Sequence, residues 1–417
     1  MFTAVLSDAA QFSPWNVDSA GAGYSLRDDA AALAPAIGEA VERYCAHLVP
    51  PELRRASVNE LQGFRANYLD PREFKLFDET QFAQPKFPFR KYLPDEPLEW
   101  ISGRRLSDDQ PVLLPADLVW ISYPYSRRTL RGKPILPSLV SGLAAGTTQD
   151  EALWSALCQL IERDTLTLAW SGRATLTEII PPAYLAAWGE GARKTLKTRF
   201  FQFPNEFGLQ VVGALVADLE RGYLTMGASC KPSLLPAMEK ALAEALQLQL
   251  FSADLDDPSG AYMKAAHSPM SPLKPWRENR DYLTSFQPDL SDVVEYLVHL
   301  QLYLDPRMQS DFHLELESSL AAESVDWRQL AGDESAAHNI PGLISKLDLS
   351  FRQLGILASY ADLTTPDVGR LGWSVVQVLA PGLYSNSSAG LPFLGGDRLQ
   401  KRLAERGDFT RRIPLPH

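Results

Sequence analysis

Two segments of this chain read as helices with oxygen-bearing side chains three residues apart, each ending in a Glu-Arg pair. Gly38-Glu39-Ala40-Val41-Glu42-Arg43-Tyr44 returns, altered, as Leu157-Cys158-Gln159-Leu160-Ile161-Glu162-Arg163-Asp164. Positions i and i+3 share a helix face, so Glu39 stands beside Glu42, and Gln159 beside Glu162. A fold that joins the two faces makes an oxygen-rich pocket, and such donors suit Mg²⁺ ions held against phosphates. The other reading of any single pair is a solvated helix face. Repetition on two strongly apolar helices weighs against it. Arg43 and Arg163 can pair with these carboxylates or reach phosphate oxygens in a fork geometry.

Composition limits the alternatives. With 417 residues the chain can bury a large core, in two or three subdomains. A net charge of −11 argues against general nucleic-acid binding, which needs a basic face. It leaves a nucleotide possible, because bound Mg²⁺ reverses the local field. The N-terminus lacks a basic segment followed by an apolar one, so no signal peptide is expected. No run approaches 18 apolar residues, so no membrane span is expected. Cys45, Cys158 and Cys230 have no CxxC spacing and read as buried structural thiols, with the cytoplasm as the compartment. The six histidines are scattered and make no zinc motif.

Along the chain, a helix is expected from about Arg27 to Val49, with Ser25 as N-cap and Pro35 kinking or interrupting it. Residues 50–100 read as packed irregular structure, and Pro115 to Tyr125 as a strand. A glycine-marked turn over 141–146 leads into a helix from about Asp150 to Trp170. Gln210 to Ala228 reads as a hairpin turning near Glu220-Arg221-Gly222, followed by a third helix from about Leu235 to Phe251. Residues 252–280 read as a loop, 291–304 and 341–360 as helical, and Trp373 to Leu379 as a strand. The irregular alternation points to an α/β (α+β) fold, with mixed sheets flanked by helices and an internal duplication.

The usual nucleotide signatures are missing. Arg131-Gly132-Lys133-Pro134 lacks the upstream glycine and the hydroxyl residue of a phosphate loop, and no GxGxxG follows a strand. Thr148-x-x-Glu151 has a plain explanation as a capping box. Gly142 and Gly146 either permit a tight turn or let backbone N–H groups approach an anion at the next helix N-terminus.

Several longer stretches are similar to the YcaO family: GEAVERYCA at 38–46, SGLAAGTTQDEALWSALCQLIERD at 141–164 and ALAEALQLQL at 241–250. EWISGRRL at 99–106, PADLVWISYPY at 115–125 and VQVLAPGLYSNSSAGLPFLGGDRL at 376–399 resemble its azoline-forming members. The resemblance runs in order over nearly the whole chain. It implies a single YcaO domain over 1–417, with subregions near 1–135, 136–290 and 291–417 and an ATP site between pseudo-duplicated halves.

The activity it implies is an ATP- and Mg²⁺-dependent cyclodehydratase that forms thiazoline or oxazoline rings in a ribosomally made precursor peptide. Glu39, Glu42, Gln159 and Glu162 would be the metal positions. Glu151, Arg163, Arg43, Thr147, Ser155, Glu244 and Gln247 would surround the nucleotide. Azoline-forming members often end in alternating prolines; here Pro414, Pro416 and His417 form a short version, assigned to catalysis. Five positions depart from the family pattern. Pro35 replaces a common serine, Ala22 a basic residue, Thr147 an asparagine, Gln159 a magnesium-binding glutamate and Gln249 an arginine. No separate leader-peptide-binding domain is obvious before the first motif, so a partner protein is expected to deliver the precursor, with a flavin-dependent azoline dehydrogenase beside it. Thioamide or amidine formation, and a non-catalytic peptide scaffold, are the alternatives.

Overall fold

A computed structural model describes residues 1–6, 20–26, 28–123, 133–190, 194–269, 271–331, 339–406 and 413–417. The chain forms two compact units. The first is Met1–Asp164 with Ala337–Ser385 and Leu394–Arg398; the second is Thr165–Ala336 with Asn386–Phe393 and Leu399–His417.

In the first unit, β1 (Phe2–Val5) and β2 (Ala20–Gly23) form an antiparallel pair beside helix α1 (Asp29–His47). The Asp28 carboxylate accepts from Ala31 N at 2.7 Å and is therefore the N-cap, in place of the expected Ser25. Arg27 lies outside the described residues. The helix continues through Pro35 without interruption. The carbonyl that loses its partner there belongs to exposed Ala31, where water can satisfy it.

Six further strands make the main sheet: β3 (Arg54–Ala56), β4 (Leu98–Arg105), β5 (Pro111–Pro115), β6 (Leu143–Gly146), β12 (Ser359–Asp362) and β13 (Ser374–Leu379). Their order is β3-β4-β12-β13-β6, with β5 also on β4, and every pairing is antiparallel. β6 therefore ends the sheet. Helix α2 (Gln149–Ser171) follows it directly.

The second unit is built on β7 (Thr177–Ile180), β8 (Leu196–Phe203), β9 (Gln210–Asp218), β10 (Tyr223–Lys231) and β11 (Val325–Asp326), in the order β10-β9-β8-β7-β11. The β9–β10 hairpin pairs Gln210 with Lys231 and turns at Gly222, whose φ of +70° favours glycine. Both strands are almost wholly buried, which explains their near-continuous apolar run. Helix α3 (Leu234–Leu255), with Pro236 in its first turn, packs on them.

One local device recurs. A strand glycine lies against the backbone of each long helix: Gly21 on Ala36 and Ala40 of α1, Gly146 on Ala152 of α2, and Gly227 on Ala241 and Ala245 of α3. A Cβ at any of them would overlap backbone atoms. The acidic helices thereby sit closer to their strands than any side chain would permit.

Several expectations need correction. The strand lies at Pro111–Pro115, and Ala116–Leu118 is a 3₁₀ turn. Val112 and Leu114 carry the buried alternation, whereas the later apolar run packs without it. Residues 124 and 125 lie outside the described residues. The 141–146 stretch is mostly strand; only Gly142, with φ of +88°, makes the turn. Residues 50–100 hold short capped elements, including capping boxes at Ser57–Glu60 and Asp78–Gln81. A short helix, Ala261–Ala266, lies within the expected loop. Only Val298–Leu302 is α-helical within 291–304. The 340s helix stops at Gln353, because Gly355 turns the chain toward β12. All three cysteines are buried, and none forms a disulfide. No helix among the described residues is long and apolar enough to cross a membrane.

The glycine contacts give a direct test. Gly227→Ala is expected to destabilise the protein by about 2–4 kcal/mol through forced backbone displacement. Gly63→Ala, whose Cβ meets nothing within 4 Å, should stay within about 0.5 kcal/mol of the parent. Denaturant unfolding of both variants checks this.

Candidate functional site

The edge strand β6 organises the acids of the first unit. Gly142 N donates to Gln159 Oε1 at 2.7 Å, and the Ala145 N–H reaches the Glu42 carboxylate. Thr147 N donates to Glu151 Oε2 at 3.0 Å, and the Thr147 hydroxyl donates to the same oxygen. Three backbone N–H groups along one short segment are thus held by side chains of α1 and α2.

Within α1, Glu39 Oε2 accepts from Ala22 N at 2.7 Å, and Oε1 pairs with Arg43 at 2.6 Å. Glu42 lies one turn on, partly exposed yet closely surrounded by protein. Desolvation, with the negative charge of Glu39 next in weight, pushes its pKa up to about 8, against the pull of Arg43 and Ala145 N. On α2, Glu162 and Arg163 are 3.5 Å apart and mostly covered. Asp164, 1 % exposed, is clamped by Arg398 at 2.6 and 2.8 Å and accepts from Tyr384 N at 2.9 Å. This buried pair fixes α2 immediately after Arg163.

The four expected metal positions do not form a closed cage: among the described residues, no three acidic, histidine or cysteine side chains cluster to hold an ion. Gln159 is engaged as a brace for Gly142, which speaks against a metal role for its oxygen. The adjacent Glu39 and Glu42 on α1 still fit Mg²⁺, which takes one or two carboxylates and fills its other positions with water and phosphate oxygens. Desolvation first, and Glu39 next, hold the Glu42 carboxyl toward its protonated form, and a cation beside it would favour the charged form. Thr148 Oγ1 accepts from Glu151 N at 3.2 Å, one half of the expected capping box; the Glu151 carboxylate serves Thr147 instead. Ser155 lies exposed on the same stripe as Glu151 and Gln159.

The remaining predicted positions belong to the second unit. Glu244 packs its Cβ against Gly227, and Gln247 is buried. Gln249 Nε2 donates to Val216 O at 3.0 Å and Thr225 Oγ1 at 2.8 Å, so it ties α3 to the hairpin. The tail is docked rather than free. Ile413 O accepts from Trp170 Nε1 at 2.6 Å, Pro414 O from the Tyr303 hydroxyl, and Pro416 O from Met226 N at 2.6 Å. His417 Nδ1 lies 3.0 Å from Met226 O. Sequence reasoning did not foresee the Asp164–Arg398 clamp, although Glu-Arg-Asp and Gly-Asp-Arg both stand in the quoted motifs. The β6 amides carry no side-chain signal at all.

A family model described as YcaO cyclodehydratase, ATP- and Mg²⁺-binding, matches residues 22–384. The chain belongs to the YcaO family. A protein of Rhizobium leguminosarum bv. trifolii, known as an uncharacterized protein in the tfuA 3′ region, is 26% identical over 54% of this chain and 53% of its own length. The chain therefore spans about half the length of that curated relative. A heterocyclase solved in complex with substrate and cofactor superposes with a TM-score of 0.66 at 19% identity, covering 95% of this chain and 48% of that one. The E. coli microcin synthetase McbBCD complex with pro-MccB17 bound gives 0.55 at 14% identity, over 84% and 79% of the two chains. These likenesses establish the fold.

The Glu42 environment sets a pH dependence. Its folded pKa, about 8, lies above its ordinary value of 4.5, so the folded state binds the extra proton. Stability falls as pH rises through that window. Glu42→Gln should remove the loss and raise stability at pH 8.5 by roughly 1–3 kcal/mol, with little change at pH 4.5. Thermal melts of both proteins across pH check the sign.

Proposed function

We propose that this protein is an ATP- and Mg²⁺-dependent cyclodehydratase that forms azoline rings in a ribosomally made peptide. The observation that carries the reading is the neighbouring Glu39–Glu42 pair on α1, with the raised pKa of Glu42, in a chain of a family described as binding ATP and Mg²⁺. Glu39, Glu42 and Glu162 would hold Mg²⁺, which neutralises charge building on the phosphates. Arg163, Arg43, Glu151, Thr147 and Ser155 would surround the nucleotide; Glu244 and Gln247 follow from the third helix motif.

In the proposed reaction a Cys, Ser or Thr side chain of the substrate adds to the preceding amide carbonyl. The former carbonyl oxygen is a poor leaving group until it accepts the γ-phosphoryl group of ATP. Phosphate then departs with that oxygen, the C=N bond forms, and ADP and phosphate are the products. The protons released by the attacking side chain and the amide nitrogen need acceptors. His417, held beside Pro414 and Pro416, is the residue we assign to the first.

A separate protein that presents the precursor accords with the solved synthetase complex, which holds a bound pro-peptide. A flavin-dependent dehydrogenase would convert azolines to azoles. Both partners are part of this proposal.

Glu42→Gln and Glu162→Gln should each lower ring formation by at least about 100-fold, with the fold intact by circular dichroism. Near-normal ring formation by both purified variants would overturn the metal assignment. Product mass identifies the chemistry: each azoline loses one water, whereas thioamide formation exchanges oxygen for the heavier sulfur.

A further inference from the structure

A cleft of about 380 Å³ lies wholly within the second unit. It is lined by Trp170, Tyr296, His299, Ser388, Asp289 and Pro414, among others. Its volume falls in the lower range of small-ligand sites, with an apolar floor and a few polar groups. Among the described residues its lining holds no Lys or Arg, and Asp289 is the one charged residue there. An anionic phosphate is therefore a poor match. A neutral ligand with hydrogen-bonding groups is a good one.

His299 supplies the specific contact. The residue is 2 % exposed, yet its Nδ1 has no hydrogen-bond partner among the described residues. Its Nε2 accepts from Ala389 N at 3.1 Å. Since Nε2 accepts, the proton of the neutral ring sits on Nδ1, which is then a donor with nothing to receive its bond. Burial also pushes the His299 pKa down to about 3, with His417 adding in the same direction, so the ring stays neutral. A buried donor left unpaired costs about 1–3 kcal/mol. A ligand acceptor would recover it. The loop that orients the ring is itself fixed, because Gly390 N donates to Val293 O at 2.8 Å and a Cβ at Gly390 would strike Ser291 O.

We infer that this cleft binds a short neutral stretch of polypeptide, with the His299 Nδ1–H donating to one of its amide carbonyl oxygens. The inference deepens the cyclodehydratase reading and rests on it for the choice of a peptide as ligand. His299 is thereby a positioning residue for the substrate.

The test uses the full chain, labelled with ¹⁵N-histidine, and the capped peptide acetyl-Ala-Cys-Gly-amide as probe. The His299 Nδ1–H resonance should shift saturably with the peptide and not with inorganic phosphate. His299→Gln can place its carbonyl where Nε2 accepts from Ala389, but it removes the donor at Nδ1. Peptide binding, followed by calorimetry, should weaken about tenfold. His299→Asn keeps a donor near Nδ1 and should bind within about threefold of the parent. No saturable shift, a shift driven by phosphate instead, or equal weakening in the Gln and Asn variants would overturn the inference. Binding of Mg²⁺ with a non-hydrolysable ATP analogue is measured on the same sample. Nucleotide binding without a peptide shift defeats the cleft assignment alone; a peptide shift without nucleotide binding supports the cleft and defeats the proposed ATP chemistry.

Discussion

A sheet edge presents backbone N–H and C=O groups that must find partners, and both principal sheets of this protein end in strands with unusual ones. At β6, the partners of the flanking and strand amides are the side chains of Gln159, Glu42 and Glu151. At β10, the partner is the 413–417 segment: Pro416 O takes the Met226 amide, and the His417 ring approaches the Met226 carbonyl. The first arrangement fixes where the acids of α1 and α2 stand. The second fixes the tail. Each places functional candidates through backbone chemistry that must be satisfied whether or not a ligand is bound.

The two prolines suit the tail for that task. Proline has no N–H, so Pro414 and Pro416 bring acceptors without donors that would need burial. Ile413, Pro414 and Pro416 each offer a carbonyl, and Trp170, Tyr303 and Met226 supply the donors. The tail is thereby anchored at three of its residues. Deleting it would strip these donors of their partners, so truncation costs stability as well as any chemistry, and single substitutions are the cleaner probes.

Much of the frame was legible in the sequence because hydrophobic period and turn chemistry agree there. The helices from Gln149 and from Leu234, the 210–231 hairpin and the strand at Ser374 follow from apolar spacing and glycine positions. Failures came where local pattern and tertiary packing part company. The apolar run after Pro115 looks like a strand, yet its residues turn into 3₁₀ geometry. The Asp28 cap competes with Ser25, and the nearer acid wins the Ala31 amide. Of the site, the spacing of Glu39 with Glu42 was readable. The amides of Gly142 and Ala145, the Asp164–Arg398 clamp and the unpaired nitrogen of His299 were not, since none follows from side-chain identity along one segment.

The departures from the family pattern have a physical logic in this fold. At position 22 the backbone N–H, not the side chain, meets Glu39, so alanine costs that contact nothing. Gln159 accepts from Gly142 as a glutamate would, but without adding a further negative charge near β6, where Glu42 is already driven toward protonation by desolvation and by Glu39. A carboxylate there would add to the repulsion in the absence of a cation and strengthen the attraction in its presence. The amide therefore spares the unliganded protein that repulsion. Gln249 acts similarly on α3, binding Val216 O and Thr225 Oγ1 through an uncharged donor that a buried hairpin accommodates more easily than a guanidinium. In each case the backbone geometry is kept with an uncharged side chain.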